Sequence, residues 1–173
     1  IRSGNVAGRL EIDSTTAYNG QHSQVIQFVD GSGKLGVANP GLNRWGIAVQ
    51  KGQKFQGRLY LKGKRITGPV TVALQSADGK KIHAQKLINN ISSDWKKYPF
   101  HLTAGSTDPN ARLAIYLSSK GTVWLDQVVL MGTGEAQFKG LPVRGDIGNR
   151  LKEEGLTFLR YGGTMVNAPG YRF

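Results

Sequence analysis

The chain contains no cysteine, which excludes disulfides, thiol nucleophiles and Cys-based zinc sites together. That absence leaves the compartment open. No stretch approaches the ~20 apolar residues that a membrane-crossing helix needs, and no secretory signal opens the sequence. Acidic residues are scarce: 11 Asp and Glu stand against 23 Lys and Arg, for a formal net charge of +12. The basic residues are dispersed, with short clusters only at Lys62 to Arg65, Lys80-Lys81 and Lys96-Lys97. Such placement at strand ends and turns protects sheet edges, so it reads as a solvated basic surface rather than a nucleic-acid interface. The three histidines, His22, His83 and His101, show no metal spacing, and no Gly-Lys-Ser/Thr follows a strand to make a phosphate loop.

Glycine is abundant instead. Twenty-four glycines in 173 residues suit an all-β protein with many tight turns, and the length suits one domain plus a short appendage. Strands are expected over 8–13, 23–29, 54–62, 70–75, 81–88, 95–103, 112–118 and 122–130, from runs of alternating apolar and polar residues. Asp30-Gly31-Ser32-Gly33 reads as a turn after the second strand, and Asp78-Gly79 as the turn of a hairpin. About eight short strands at this spacing imply a jelly-roll β-sandwich over 1–132. From 133 to 173 the texture changes. A helix over 144–154, with Ile147 and Leu151 on one face and Gly155 stopping it, precedes a strand-like run at 157–161. That is a short C-terminal α/β appendage, the start of a second domain.

Alternation also nominates a sugar-binding surface, because glycan sites pair an aromatic platform for the apolar ring face with polar partners for the hydroxyls. Trp45 lies in a Gly/Asn-rich loop where core packing does not explain a large ring. Tyr60 and Tyr116 fall on the polar sides of their strands, with Arg58, Gln75, His83, Gln85 and Arg112 on the same outer surface. Trp95 faces outward with Lys97 and His101. Trp124 is assigned to the core. The acidic residues offer no carboxylate pair for glycosidic chemistry, since Glu153 and Glu154 face apart and Asp13, Asp30, Asp78 and Asp108 sit at turns.

Two segments carry a resemblance. Gly36 to Val49 with its Trp45-Gly46 pair, Lys51 to Phe55, Trp95-Lys96-Lys97-Tyr98 and Gly121 to Val128 together resemble carbohydrate-binding modules of families 4, 9 and 22. Phe138 to Phe173, with Phe158-Leu159-Arg160-Tyr161-Gly162-Gly163, is similar to the start of the catalytic barrel of family-51 α-L-arabinofuranosidases. The resemblance implies a non-catalytic module for a plant cell-wall polysaccharide, xylan, arabinoxylan or a β-glucan, preceding the catalytic barrel of a parent enzyme. It implies no catalytic residue here, because that family's glutamates lie on later barrel strands, and an extracellular or periplasmic location. It further implies that Arg160, Tyr161, Gly162 and Gly163 shape an active-site floor, and that Asp126, read first as a buried hydrogen-bonding Asp, could instead hold a structural calcium with Glu11 or Asp13, no other cofactor being required. Two alternatives stay open: a structural sandwich without its own glycan site, and a basic domain for acidic polymers.

Overall fold

The computed structural model of the chain describes residues 1–141 and 143–158. Nine strands carry the first compact unit, Ile1–Gly134: β1 Arg2–Asp13, β2 Ser23–Asn39, β3 Ile47–Val49, β4 Lys54–Lys64, β5 Val70–Gln75, β6 Ile82–Ile88, β7 Lys96–Thr103, β8 Asp108–Leu117 and β9 Gly121–Gly132. All pairings are antiparallel, in the order β6-β5-β8-β2-β9-β4-β7, with β1 added to β2 and β3 to β8. The architecture is the β-sandwich expected from the sequence.

β2 joins the two layers. Its first half, Gln24 to Phe28, pairs with β9, whereas Leu35 to Asn39 pairs with β8. The expected turn at 30–33 is therefore corrected: the chain does not reverse there. Gly31 and Gly33 take positive φ (95° and 130°) within a continuous strand whose partner β1 stays paired across the bend. A side chain on either glycine would run into the β1 carbonyls of Asn5 or Ser3. The glycines permit a bend and a close approach, not a turn.

The main core is an apolar cluster that draws Ile26, Phe28 and Leu35 from β2, Leu59 and Leu61 from β4 and Val70, Val72 and Leu74 from β5. Phe100, Leu113, Ile115, Leu117, Val123 and Leu125 complete its centre. These are the inward members of the alternating runs. The Ala77 to Lys80 hairpin forms as the Asp-Gly signal predicts, with Gly79 at φ 78° and Asp78 accepting from Ser76 Oγ and Lys80 N.

The second compact unit, Glu135–Phe173, contains helix α1, Gly145–Glu153. Gly155 at φ 80° terminates the helix, as expected. Ile147 and Leu151 share one face of α1 and remain exposed. Of the strand-like run, Thr157 and Phe158 carry no regular structure; Leu159 to Tyr161, together with Gly162 and Gly163, lie outside the described residues.

Candidate functional site: an aromatic face on β4

The outer face of β4 presents Gln56, Arg58, Tyr60 and Lys62 in alternation with the buried Phe55, Leu59 and Leu61. Tyr60 lies opposite Lys97 of β7 on one side and Asp126 of β9 on the other. Directly opposed residues share a face, with Cβ atoms ~5 Å apart, so the ring is flanked by a cation and a carboxylate. Above it lies Tyr18, from the segment joining β1 to β2. Its ring stacks on Tyr60 at 3.8 Å between centroids and 18° between planes, and Trp95 meets Tyr18 edge-on at 6.1 Å and 61°. Both are favourable aromatic arrangements. Tyr18 keeps 44% of its surface exposed, so the stack offers an aromatic surface to solvent.

Two aspartates hold the Tyr18 segment to the sheet. Asp126 Oδ2 accepts from the backbone N–H of Tyr18 (3.0 Å) and of Asn19 (3.1 Å), while Oδ1 accepts from Gln127 N. Asp13 accepts from Thr15 Oγ1, Thr15 N, Thr16 N and the indole Nε1 of Trp124 at 2.7 Å. The Thr15 hydroxyl first, then the Trp124 indole, hold the Asp13 carboxyl well below the ordinary carboxylate range. Hydrogen bonding with Tyr60, followed by partial burial, raises the Tyr18 phenol above its ordinary value.

Trp124 is corrected from core to face. It stands opposite Lys62 and Val25, half-buried, with the Lys62 ammonium 5.9 Å from its ring centroid. The calcium reading does not fit the donor set. Asp126 spends its oxygens on backbone N–H donors, Glu11 pairs with Arg9 at 3.4 Å, and no group of three His, Asp or Glu among the described residues could hold a metal. Carboxylates filled by N–H donors have little left for a cation that needs six or more oxygens.

The remaining candidates lie elsewhere. On the far layer, Gln75, Arg112, Tyr116 and Gln85 do share one face, as alternation indicates, but that face is largely covered. Gln75 (2% exposed) and Tyr116 (3%) are buried, as are Thr71, Ala73 and Ala114. Ile1 packs on Ala73, Ala114 and Tyr116, and exchanges backbone hydrogen bonds with Gly36. With its amide oxygen turned to the guanidinium, Gln75 accepts from Arg112 Nε and Nη2, both at 2.9 Å. His83, also expected outside, is 4% exposed and locked between Ser106 Oγ and Asp108 Oδ2, each 2.8 Å away. The expectation that Gln75, His83 and Tyr116 face solvent is thus corrected, because small residues on this face let neighbouring chain close over it. Only Gln85 stays fully exposed, and Arg112 is half-buried.

Trp45 is 72% exposed. Its loop is stiff: Gly41, Asn43, Arg44 and Gly46 all have positive φ, Gly46 N donates to Pro40 O, and Gly46 lies against Asn110 at the start of β8. The structure therefore brings Arg58, Tyr60 and Trp95 together, and places Trp45 on a separate loop beside β8. Sequence reasoning missed Tyr18. Its only local signal is an aromatic beside Asn19-Gly20 in a polar segment; its partner Asp126 lies more than a hundred positions away.

No protein-family model matches the chain. Two curated proteins of Arabidopsis thaliana do: α-L-arabinofuranosidase 1, 36% identical over 141 residues, and α-L-arabinofuranosidase 2, 34% over 140, each match covering 78% of this chain. The match covers about a fifth of the length of those relatives (20%). Among solved structures, an arabinose-bound family-51 α-L-arabinofuranosidase superposes with a TM-score of 0.79 at 22% identity, covering 95% of this chain and 28% of that one. A family-4 carbohydrate-binding module gives a TM-score of 0.54 at 18% identity, over 70% of this chain and 88% of that one. A family-22 module with its xylanase gives 0.51 at 15%, over 75% and 25%. The chain thus has the sandwich fold of carbohydrate-binding modules and is similar in sequence to a segment of α-L-arabinofuranosidases, as its motifs indicate.

Proposed function

We propose that the chain is a non-catalytic carbohydrate-binding module for a plant cell-wall polysaccharide, and that the Tyr18–Tyr60–Trp95 face is where the glycan docks. The observation that carries this reading is the exposed aromatic stack, anchored by Asp126 and bordered by Arg58, Lys97 and Gln56. The rings supply a platform for apolar sugar faces, and the polar neighbours supply hydrogen bonds to hydroxyls. Trp45 is a second stacking ring, which would engage a longer chain or its end. The fold likeness to modules of families 4 and 22, one determined with xylohexaose, supports a xylan-type ligand. The arabinofuranosidase relatives support a parent glycoside hydrolase whose barrel this module would serve, and a cell-wall polysaccharide as ligand would put it in an extracellular or periplasmic setting.

An open face with a few stacked rings binds weakly, with dissociation constants of order micromolar to millimolar. Native affinity electrophoresis in gels containing arabinoxylan, xyloglucan or β-glucan tests the proposal. Retardation by one of these glycans, diminished in Tyr18→Ala and Tyr60→Ala, supports it. Unchanged migration in every gel would leave the sandwich a structural part of its parent.

A further inference from the structure

The charge around the stack points to a narrower ligand class than the rings alone. Arg58 and Lys62 flank Tyr60 on the same face of β4, and Lys97 stands directly opposite Tyr60 on β7. None of the three is paired with a carboxylate among the described residues, although Arg9, Lys80, Lys120, Arg144 and Arg150 all are. The carboxylates that β1 and β9 bring to this face are already engaged. Asp126 is occupied by three backbone N–H groups and Asp13 by the Thr15, Thr16 and Trp124 donors, while Glu11 holds Arg9. These aspartates cannot turn to the cations without releasing the segment that carries Tyr18. The face therefore combines a fixed aromatic platform with three cations that no described carboxylate pairs, two of them on either side of the central ring along β4.

From this geometry we infer that the face recognises a glycan bearing carboxylates, a uronic-acid-containing polysaccharide, with a ring on the Tyr18–Tyr60–Trp95 stack and a uronate against Arg58, Lys62 or Lys97. The inference rests on the proposed glycan-binding role and adds its substrate class. Stacking fixes the register, and a guanidinium or ammonium beside the platform answers a carboxylate with charge-assisted hydrogen bonds that a neutral hydroxyl makes more weakly. Free uronate could come from a glucuronic-acid-substituted xylan or from de-esterified pectin; both present the same group.

The test uses the full chain in native affinity gels at low and physiological salt. The gels contain glucuronoxylan, de-esterified homogalacturonan, the carboxyl-reduced form of each, neutral arabinoxylan, or polyglutamate. The expected result is retardation by at least one uronate polymer, with apparent affinity several-fold weaker for its carboxyl-reduced form. Each of Arg58→Gln and Lys97→Gln should lower affinity for the uronate polymer about two- to fivefold, as exposed charge pairs do, and weaken binding of the reduced form by clearly less. Tyr18→Ala should weaken both. Which of the two uronate polymers retains the chain more strongly identifies the source. Equal retention by a uronate polymer and its carboxyl-reduced form overturns the uronate inference while the glycan-binding role stands. Equal retention by polyglutamate, insensitive to Tyr18→Ala, overturns it in favour of a charge-only surface. No retention in any gel removes both.

Discussion

The two outer faces of the sandwich look alike in the sequence and differ in the structure. β4 and β8 each alternate cleanly, and each puts a tyrosine and an arginine on the side away from the core: Tyr60 with Arg58, and Tyr116 with Arg112. On β4 the neighbours across the ladder are long and polar, Lys97 and Asp126, and the face stays open. On β8 they are Gly36, Ala38, Thr71 and Ala73, whose small side chains leave room for Ile1 to settle on the sheet. Tyr116 becomes a buried ring under a Lys34 cation 5.1 Å away, and Tyr60 a platform under another tyrosine. Alternation tells which side of a strand a residue occupies. The size of its cross-strand neighbours decides whether that side meets water.

That contrast is tested most forcefully at Tyr116. Tyr116→Ala should empty a buried site and cost about 3 kcal/mol or more of stability, as large-to-small aromatic truncations do, while leaving glycan affinity unaltered; urea unfolding read beside native affinity gels checks both halves. Tyr60→Ala should show the opposite profile, with affinity falling about tenfold, in the range of a central interface aromatic, and a smaller change in unfolding midpoint. Equal effects of the two variants on binding would erase the distinction between the faces.

The Asp126 tether offers a finer probe. Asp126→Asn weakens the acceptor that holds Tyr18 N and Asn19 N, so affinity should drop several-fold with a stability loss of about 1 kcal/mol, typical of a charge-assisted hydrogen bond made less polar. Acid should act on the neighbouring anchor. Because folding lowers the Asp13 pKa, its contribution is complete above the ordinary carboxylate value of about 4, and it is lost as pH falls through the depressed folded value. The Trp124 indole donates to that carboxylate, so Trp emission should shift only in acid, and Asp13→Asn should reproduce the shift at neutral pH. The smallest stability effect is expected for Trp45→Ala. The ring is mostly solvated, so the unfolding midpoint should move within about 0.5 kcal/mol, and any loss of affinity measured in that variant reports contact with ligand.

Much of the sandwich is legible in the sequence. Short-range rules govern alternating runs, Asp-Gly turns and a helix stopped by glycine, and these hold at 54–62, 70–75, 78–79 and 144–155. Arg58, Tyr60 and Trp95 are legible as outward residues for the same reason. Tyr18 is not, because nothing near it in sequence announces that Asp126 will hold its backbone over β4. The burial of His83 is equally hidden: its partners, Ser106 and Asp108, arrive from the segment entering β8.

Local sequence dictates which residues face the core, since that follows from a period of two along each strand. It also dictates the net positive charge and the sandwich class. Three outcomes arise only once the layers are packed: which of two similar faces remains open, that the glycines at 31 and 33 bend a strand instead of ending it, and that the carboxylates beside Tyr60 are spent on backbone donors. Each depends on groups that meet across the sheet, and the distance between them in space bears no relation to their distance along the chain.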